Sequence, residues 1–78
     1  MQPIQMAMRN RKNLAMTNIA GCYYCQAIFD PKEIKEHTDQ GETALCPYCS
    51  VDAVVPEVGE IKITKEYLKS AYDVYFGD

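Results

Sequence analysis

The sequence predicts a small α+β domain that is organised by four cysteines. Three observations support this fold class: the cysteines form two Cys-x-x-Cys pairs, short apolar segments flank the pairs, and the C-terminal residues show helical apolar spacing. The chain has 78 residues, enough for one domain whose core alone leaves it marginally stable. Its 47% hydrophobic and 24% charged residues exclude a disordered tail. Its apolar runs are too short for a transmembrane helix.

The cysteine pairs have the spacing of a zinc site. Cys22 and Cys25 enclose two tyrosines, Cys46 and Cys49 enclose Pro-Tyr, and 20 residues separate the pairs. Two intervening residues let the backbone curl around one ion, so that both sulfurs reach it at about 2.3 Å. Four thiolates leave no open position, which predicts one structural Zn²⁺ held by two Cys-x-x-Cys knuckles. Such sites contribute about 10–16 kcal/mol of apparent binding free energy.

Other interpretations of the cysteines are weaker. No apolar stretch follows a charged start, so we expect a cytoplasmic protein with reduced thiols rather than disulfides. Cys46-Pro-Tyr-Cys49 is also the glutaredoxin tetrapeptide, but that chemistry places its first cysteine at a helix N-terminus. The β-branched residues that follow, ending at Pro56, predict a strand instead. Iron in a four-thiolate site is an alternative that the spacing leaves open.

Between the pairs, the sequence predicts a short inserted helix at about 31–39. Asp30 is a good N-cap, Pro31 suits the first helical position, and Glu33 completes a capping box. Around the second pair, the apolar residues of 43–45 and 51–55 suggest a short hairpin.

The last predicted element is an amphipathic helix at about 65–76, which Thr64 would cap. Its apolar residues fall within an arc of about 160°, opposite a charged side. We expect this stripe to close the core. Tyr72 within the stripe and Phe76 at its margin are candidates for contact with a protein partner or a second copy of the chain.

Charge is distributed unevenly along the chain. Residues 1–20 form a basic, partly helical N-terminal arm with Arg9, Arg11 and Lys12 and no acid. Residues 21–78 form the domain, and residues 21–60 within it carry eight acids against two lysines. An acidic middle disfavours nucleic-acid binding by that part of the chain, because phosphate contacts need lysine and arginine.

Several segments of the sequence, including the cysteine pairs and their surroundings, resemble those of a known group of proteins. They are Gly21–Cys25, Phe29-x-Pro31-x-Glu33-Ile34, Thr43–Cys49, Val51–Pro56 and Ile63-Thr64-x-x-Tyr67-Leu68. Together they look like a group of small bacterial zinc-ribbon proteins that also occur in phage-like genomes, and the likeness covers about residues 20–76. The resemblance implies a cytoplasmic zinc-ribbon-like module and brings no enzymatic activity with it.

These observations predict a non-enzymatic zinc-binding module that acts through protein–protein interaction, as an adapter or a regulator of a cellular machine. No catalytic residues or small-molecule substrate are expected, because the sequence has no serine–histidine pair and no phosphate-cradling loop. No membrane contact is expected, because the apolar runs are short. The alternative is a nucleic-acid-binding regulator that uses Arg9, Arg11 and Lys12. A homodimer through the last helix is a third possibility. The residues expected to face a basic protein partner are Glu33, Glu36, Asp39, Glu42, Tyr72 and Phe76.

Overall fold

The structure is a computed structural model that describes residues 6–77. Its main sheet is antiparallel and has three strands, with β1 (Ala20–Cys22) between β2 (Ile28–Phe29) and β5 (Val54–Pro56). A second sheet pairs β3 (His37–Thr38) with β4 (Thr43–Ala44). Helical and antiparallel elements thus combine around the clustered cysteines, and the predicted α+β class is confirmed at this level.

The predicted C-terminal helix is confirmed as helix α2 (Lys65–Tyr75). The Thr64 side chain accepts a hydrogen bond from the Tyr67 N–H at 3.0 Å, which satisfies one of the free donors of the first turn. Leu68 and Ala71 are buried on the apolar side of the helix. The helix lies so close to β1 that a Cβ on Gly21 would approach the methyl groups of Leu68 to 3.0 and 3.1 Å. Glycine at this position therefore lets helix and sheet pack together.

The helix predicted at 31–39 is wrong beyond its first turn. A 3₁₀ helix covers Pro31–Glu33, and its capping box is present as expected. Ile34 then adopts an extended conformation with ψ of 126°, and the chain continues into β3. Pairing between His37–Thr38 and Thr43–Ala44 supplies backbone hydrogen bonds that a continued helix would have to give up.

The hairpin predicted around the second cysteine pair is also wrong in its pairing. The segment before the pair joins β3, whereas the segment after it joins β1, with Cys22 opposite Val54. The two segments that flank the second cysteine pair are joined at the ends of its turn, where the Cys46 N–H donates to the Val51 carbonyl at 3.0 Å. Each strand finds its partner in a different sheet, and the second pair therefore connects the two sheets.

The N-terminal segment packs against both sheets. The expected helical content appears as helix α1 (Arg11–Leu14), while residues 1–5 of the predicted arm lie outside the described residues. Asn10, just before α1, is fully buried. Its Nδ2 donates to the Val54 carbonyl at 2.7 Å and its Oδ1 accepts from the Ala44 N–H at 3.2 Å. One side chain thus links β5 to β4.

A single cluster of buried residues fills the space between these elements. Leu68, Val54 and Val55 are its largest fully buried apolar side chains. Met6, Ala7 and other residues from the beginning of the described chain belong to the same cluster as the strands and α2. The first cysteine of each pair also belongs to this cluster, which anchors the site in the core.

Candidate metal centre

The two Cys-x-x-Cys segments form turns with the same hydrogen-bond pattern. The Cys22 carbonyl accepts from the Gln26 N–H at 2.8 Å, and the Cys46 carbonyl accepts from the Ser50 N–H at 2.9 Å. In each turn the N–H of the first cysteine donates to the carbonyl five residues later, at 2.9 and 3.0 Å. Gln26 and Ser50 share a left-handed φ of 65°, which turns the chain back after the second cysteine. The two turns are therefore close structural equivalents.

The turns bring four sulfur atoms together. All four Sγ atoms lie within 4.8 Å of one another, with Cys22 to Cys49 at 3.5 Å and Cys25 to Cys46 at 3.7 Å. A tetrahedral ion with metal–sulfur bonds of about 2.3 Å requires sulfurs about 3.8 Å apart. A disulfide would need about 2.05 Å, and the four thiols are free. The cluster therefore has the dimensions of a four-thiolate metal site.

Burial divides the four cysteines into an inner and an outer pair. Cys22 and Cys46 are buried, Cys49 is partly buried and Cys25 is exposed. Burial raises the pKa of the Cys22 thiol, although the backbone N–H groups of Cys25 and Tyr24 partly oppose this effect. Burial also raises the pKa of Cys49. Burial thus favours the neutral form of one inner thiol and one outer thiol.

Cys46 behaves differently from its neighbours. Burial acts to raise its pKa as well, but the backbone N–H groups of Tyr48 and Cys49 and two neighbouring thiols outweigh this effect, so that the pKa is lowered. The Tyr48 N–H lies 3.4 Å from the Cys46 sulfur. Backbone donors aimed at a sulfur stabilise the thiolate that a metal requires.

Tyrosines of the first turn pack against the end of α2. The Tyr23 ring centroid lies 5.6 Å from that of Tyr75, and the Tyr24 centroid lies 4.9 Å from that of Phe76 in an edge-on arrangement. Tyr72 completes the group at 6.0 Å from Tyr24. The sequence predicted partner contact for Tyr72 and Phe76. In the structure both side chains contact Tyr24 in the first cysteine turn of the same chain. Phe76 nevertheless remains 43% exposed.

Glu33 and Glu36 lie beside the second turn. The Glu33 carboxylate accepts hydrogen bonds from the Tyr48 hydroxyl and from the Asp30 N–H. The hydrogen bond to Glu33 raises the pKa of Tyr48. Tyr48 is 62% exposed, and its ring centroid lies 5.8 Å from that of Phe29. Glu33 and Glu36 border the same cavity.

The other predicted charged residues lie around the β3–β4 turn. The Asp39 carboxylate accepts from the Thr43 hydroxyl at 2.8 Å, and the same hydroxyl oxygen accepts from the Arg9 N–H at 2.8 Å. Arg9, Asp39 and Glu42 line one cavity. Arg11 donates to the Gly41 carbonyl at 3.1 Å.

The exposed Lys12 lies on α1. The predicted acids thus form two groups: Glu33 and Glu36 lie beside the second cysteine turn, and Asp39 and Glu42 line the cavity near the β3–β4 turn.

Two features of the site have no clear signal in the sequence. The contact between Glu33 and Tyr48 joins residues 15 positions apart, and no local pattern indicates it. The hydrogen bonds by which Asn10 links β5 to β4 could not be predicted, because asparagine at the start of a helix is usually an exposed cap. Its position just before α1 was the only available signal.

No family model, curated protein or solved structure matches this chain. The case for a metal site accordingly comes from the four sulfurs, which support a small metal-binding module. Within residues 6–77, no helix has both the length and the apolar character needed to cross a bilayer.

Proposed function

We propose that this chain is a small, non-enzymatic zinc-binding module that acts through contact with a protein partner, as an adapter or a regulator. The observation that carries the proposal is the cluster of four Sγ atoms within 4.8 Å of one another. Two of these sulfurs belong to the buried core, so a bound ion would be part of the fold rather than a surface addition.

The donor set favours zinc with a structural role. Cys22, Cys25, Cys46 and Cys49 would supply four thiolates, which suit the tetrahedral preference of Zn²⁺ and leave no position for a substrate. Zinc supplies binding free energy that is also folding free energy, because the ligands converge only in the folded chain. The metal would hold the second turn against β1, and the tyrosines of the first turn extend this support to α2.

Protein contact is supported by the surface around this centre. The second turn presents Tyr48 to solvent, and the exposed carboxylates of Glu33 and Glu36 lie beside it. A metal-braced turn offers a partner a surface that loses little conformational entropy on binding. Its acidic character would direct a basic partner towards it.

The proposal is tested by measuring bound metal and stability together. The purified protein is expected to contain about one zinc per chain, and removing the metal with a chelator is expected to unfold it. Cys22→Ser should abolish stoichiometric zinc binding, whereas Ser50→Ala, a matched change beside a ligand, should leave it intact. Metal analysis and far-ultraviolet circular dichroism report both quantities. Iron instead of zinc, or an unchanged fold after chelation, would contradict this part of the proposal.

One observation favours nucleic-acid binding as a second candidate. Arg11, Lys32 and His37 line a common cavity of about 240 Å³, and no acid is among its lining residues in the described part of the chain. Such a surface suits a phosphate. Binding of labelled single-stranded RNA that falls steeply with salt, and that Arg11→Ala weakens, would support this candidate. Binding insensitive to both changes would exclude it.

A further inference from the structure

A cavity beside the second cysteine turn has the size of a small binding site. Its volume is about 340 Å³, near the lower end of the roughly 300–1,000 Å³ typical of ligand pockets. Leu45 and Pro47 supply apolar wall, and Tyr48 supplies an aromatic ring. Glu33 and Glu36 are the acids that border it. The cavity thus combines an apolar surface with two carboxylates.

The Glu33 carboxylate is fixed in position before any ligand arrives. One oxygen accepts from the Asp30 N–H at 3.1 Å and the other accepts from the Tyr48 hydroxyl. The Tyr48 ring is in turn supported by the Phe29 ring, at a centroid distance of 5.8 Å. A carboxylate and an exposed aromatic ring are therefore held together, and a ligand would not have to order them.

The electrostatic character of the cavity favours a cation. Cys46 forms part of its wall. Four thiolates around Zn²⁺ carry a net charge of −2, which adds to the charges of Glu33 and Glu36. Lys35 is the one cation among the lining residues that the structure describes. Pro47 has no N–H, so this part of the wall offers no backbone donor to an anion.

We propose that this cavity binds an arginine side chain of a partner protein. A guanidinium group can stack on an aromatic ring while its N–H groups reach a carboxylate, a combination that the compact lysine ammonium does not match. This inference rests on the proposed zinc module, because the metal fixes the turn and contributes negative charge. It specifies which part of the acidic surface meets the partner, and with which residue type.

The test uses the full chain loaded with zinc and a labelled, end-capped peptide of alternating alanine and arginine. Fluorescence anisotropy at low ionic strength measures affinity, and amide chemical shifts locate the peptide. The matched control peptide replaces arginine by citrulline, which keeps the shape and removes the charge. We expect binding of the arginine peptide with shifts at Tyr48 and Glu36, and no binding of the citrulline peptide.

Variants separate a defined site from general attraction. Glu36→Gln and Tyr48→Leu should each weaken arginine-peptide binding about two- to fivefold, which is the range for exposed ion pairs and cation–π contacts. Lys35→Ala should tighten it, because a competing cation is removed. Glu42→Gln makes the same charge change in a different cavity and should have little effect.

Each outcome has a defined meaning. Equal weakening by Glu36→Gln and Glu42→Gln would overturn the inference, because it would indicate diffuse attraction. Binding of the citrulline peptide, or no peptide binding by protein that retains one zinc, would also overturn it and leave the zinc module standing. Failure to retain zinc, measured on the same samples by metal analysis, would instead refute the proposed function on which the inference rests.

Discussion

Replacing Asn10 by alanine is expected to destabilise the protein strongly, although this residue has no role at the metal centre. The Asn10 side chain is fully buried. It donates to the Val54 carbonyl and accepts from the Ala44 N–H. Alanine would remove both bonds and leave the two backbone groups without this partner in a space that water does not reach.

The magnitude follows from the groups that lose a partner. A buried donor or acceptor left unsatisfied costs about 1–3 kcal/mol. With two such groups, Asn10→Ala should lower the free energy of unfolding by about 2–6 kcal/mol. At about 4–8 °C per kcal/mol for a domain of this size, even the lower limit of this range should reduce the melting temperature by roughly 8–16 °C.

Thermal unfolding at a fixed, saturating zinc concentration measures this effect, because bound metal itself shifts stability by mass action. Asn18→Ala removes the same side chain from an exposed position and should change stability by less than about 0.5 kcal/mol. If Asn10→Ala proved as mild as Asn18→Ala, the argument that Asn10 joins the two sheets would be refuted.

Two further predictions concern alkaline pH and helix packing. Burial raises the pKa of Tyr23 and Tyr67 above the ordinary value of 10.0, so the unfolded chain ionises first and the melting temperature of the zinc form should fall above that pH. Tyr67→Phe should reduce this fall in melting temperature. If the variant showed the same dependence of melting temperature on pH as the unsubstituted protein, the prediction would be wrong. Gly21→Ala places a Cβ 2.7 Å from the Ile63 Cγ2 and should cost about 1–3 kcal/mol in urea unfolding. An unaffected midpoint would show that α2 moves away freely.

Local signals in the sequence were sufficient for part of the fold. The Thr64 cap and the 3.6-residue apolar period predicted a helix at about 65–76, and the structure has it at Lys65–Tyr75. Helix start signals and amphipathic periodicity depend on residues within a few positions of one another. They can therefore be recognised in the sequence without knowing the tertiary fold. The spacing of the cysteine pairs likewise indicated that four sulfurs would meet, and they do.

Local signals failed where distant pairing decided the outcome. The capping box of Asp30 and Glu33 is present, yet the helix stops after Glu33 and the chain extends, so that His37–Thr38 can pair with Thr43–Ala44. A capping box marks where a helix begins and carries no information about its length. In the same way, the strand Val54–Pro56 pairs with Ala20–Cys22, far away in sequence, rather than with its neighbour.

The surroundings of the candidate site were the least predictable part. Tyr72 and Phe76 have the side chains of interface anchors, and a sequence cannot show that Tyr24 lies against both of them. The four predicted acids are divided between two places because the inserted helix ends after its first turn, and Glu33 contacts Tyr48. Such contacts depend on how the turns face one another, which composition and spacing do not specify.

The placement of the tyrosines gives the molecule an optical signal of its own. The chain has six tyrosines and no tryptophan, so its near-ultraviolet emission comes chiefly from tyrosine. Tyr23, Tyr24 and Tyr48 occupy three of the four positions between paired cysteines. Cobalt–thiolate complexes absorb light where tyrosine emits. Exchanging zinc for cobalt would therefore lower the tyrosine fluorescence in proportion to the amount of cobalt bound. Metal exchange could then be followed in real time without attaching a dye.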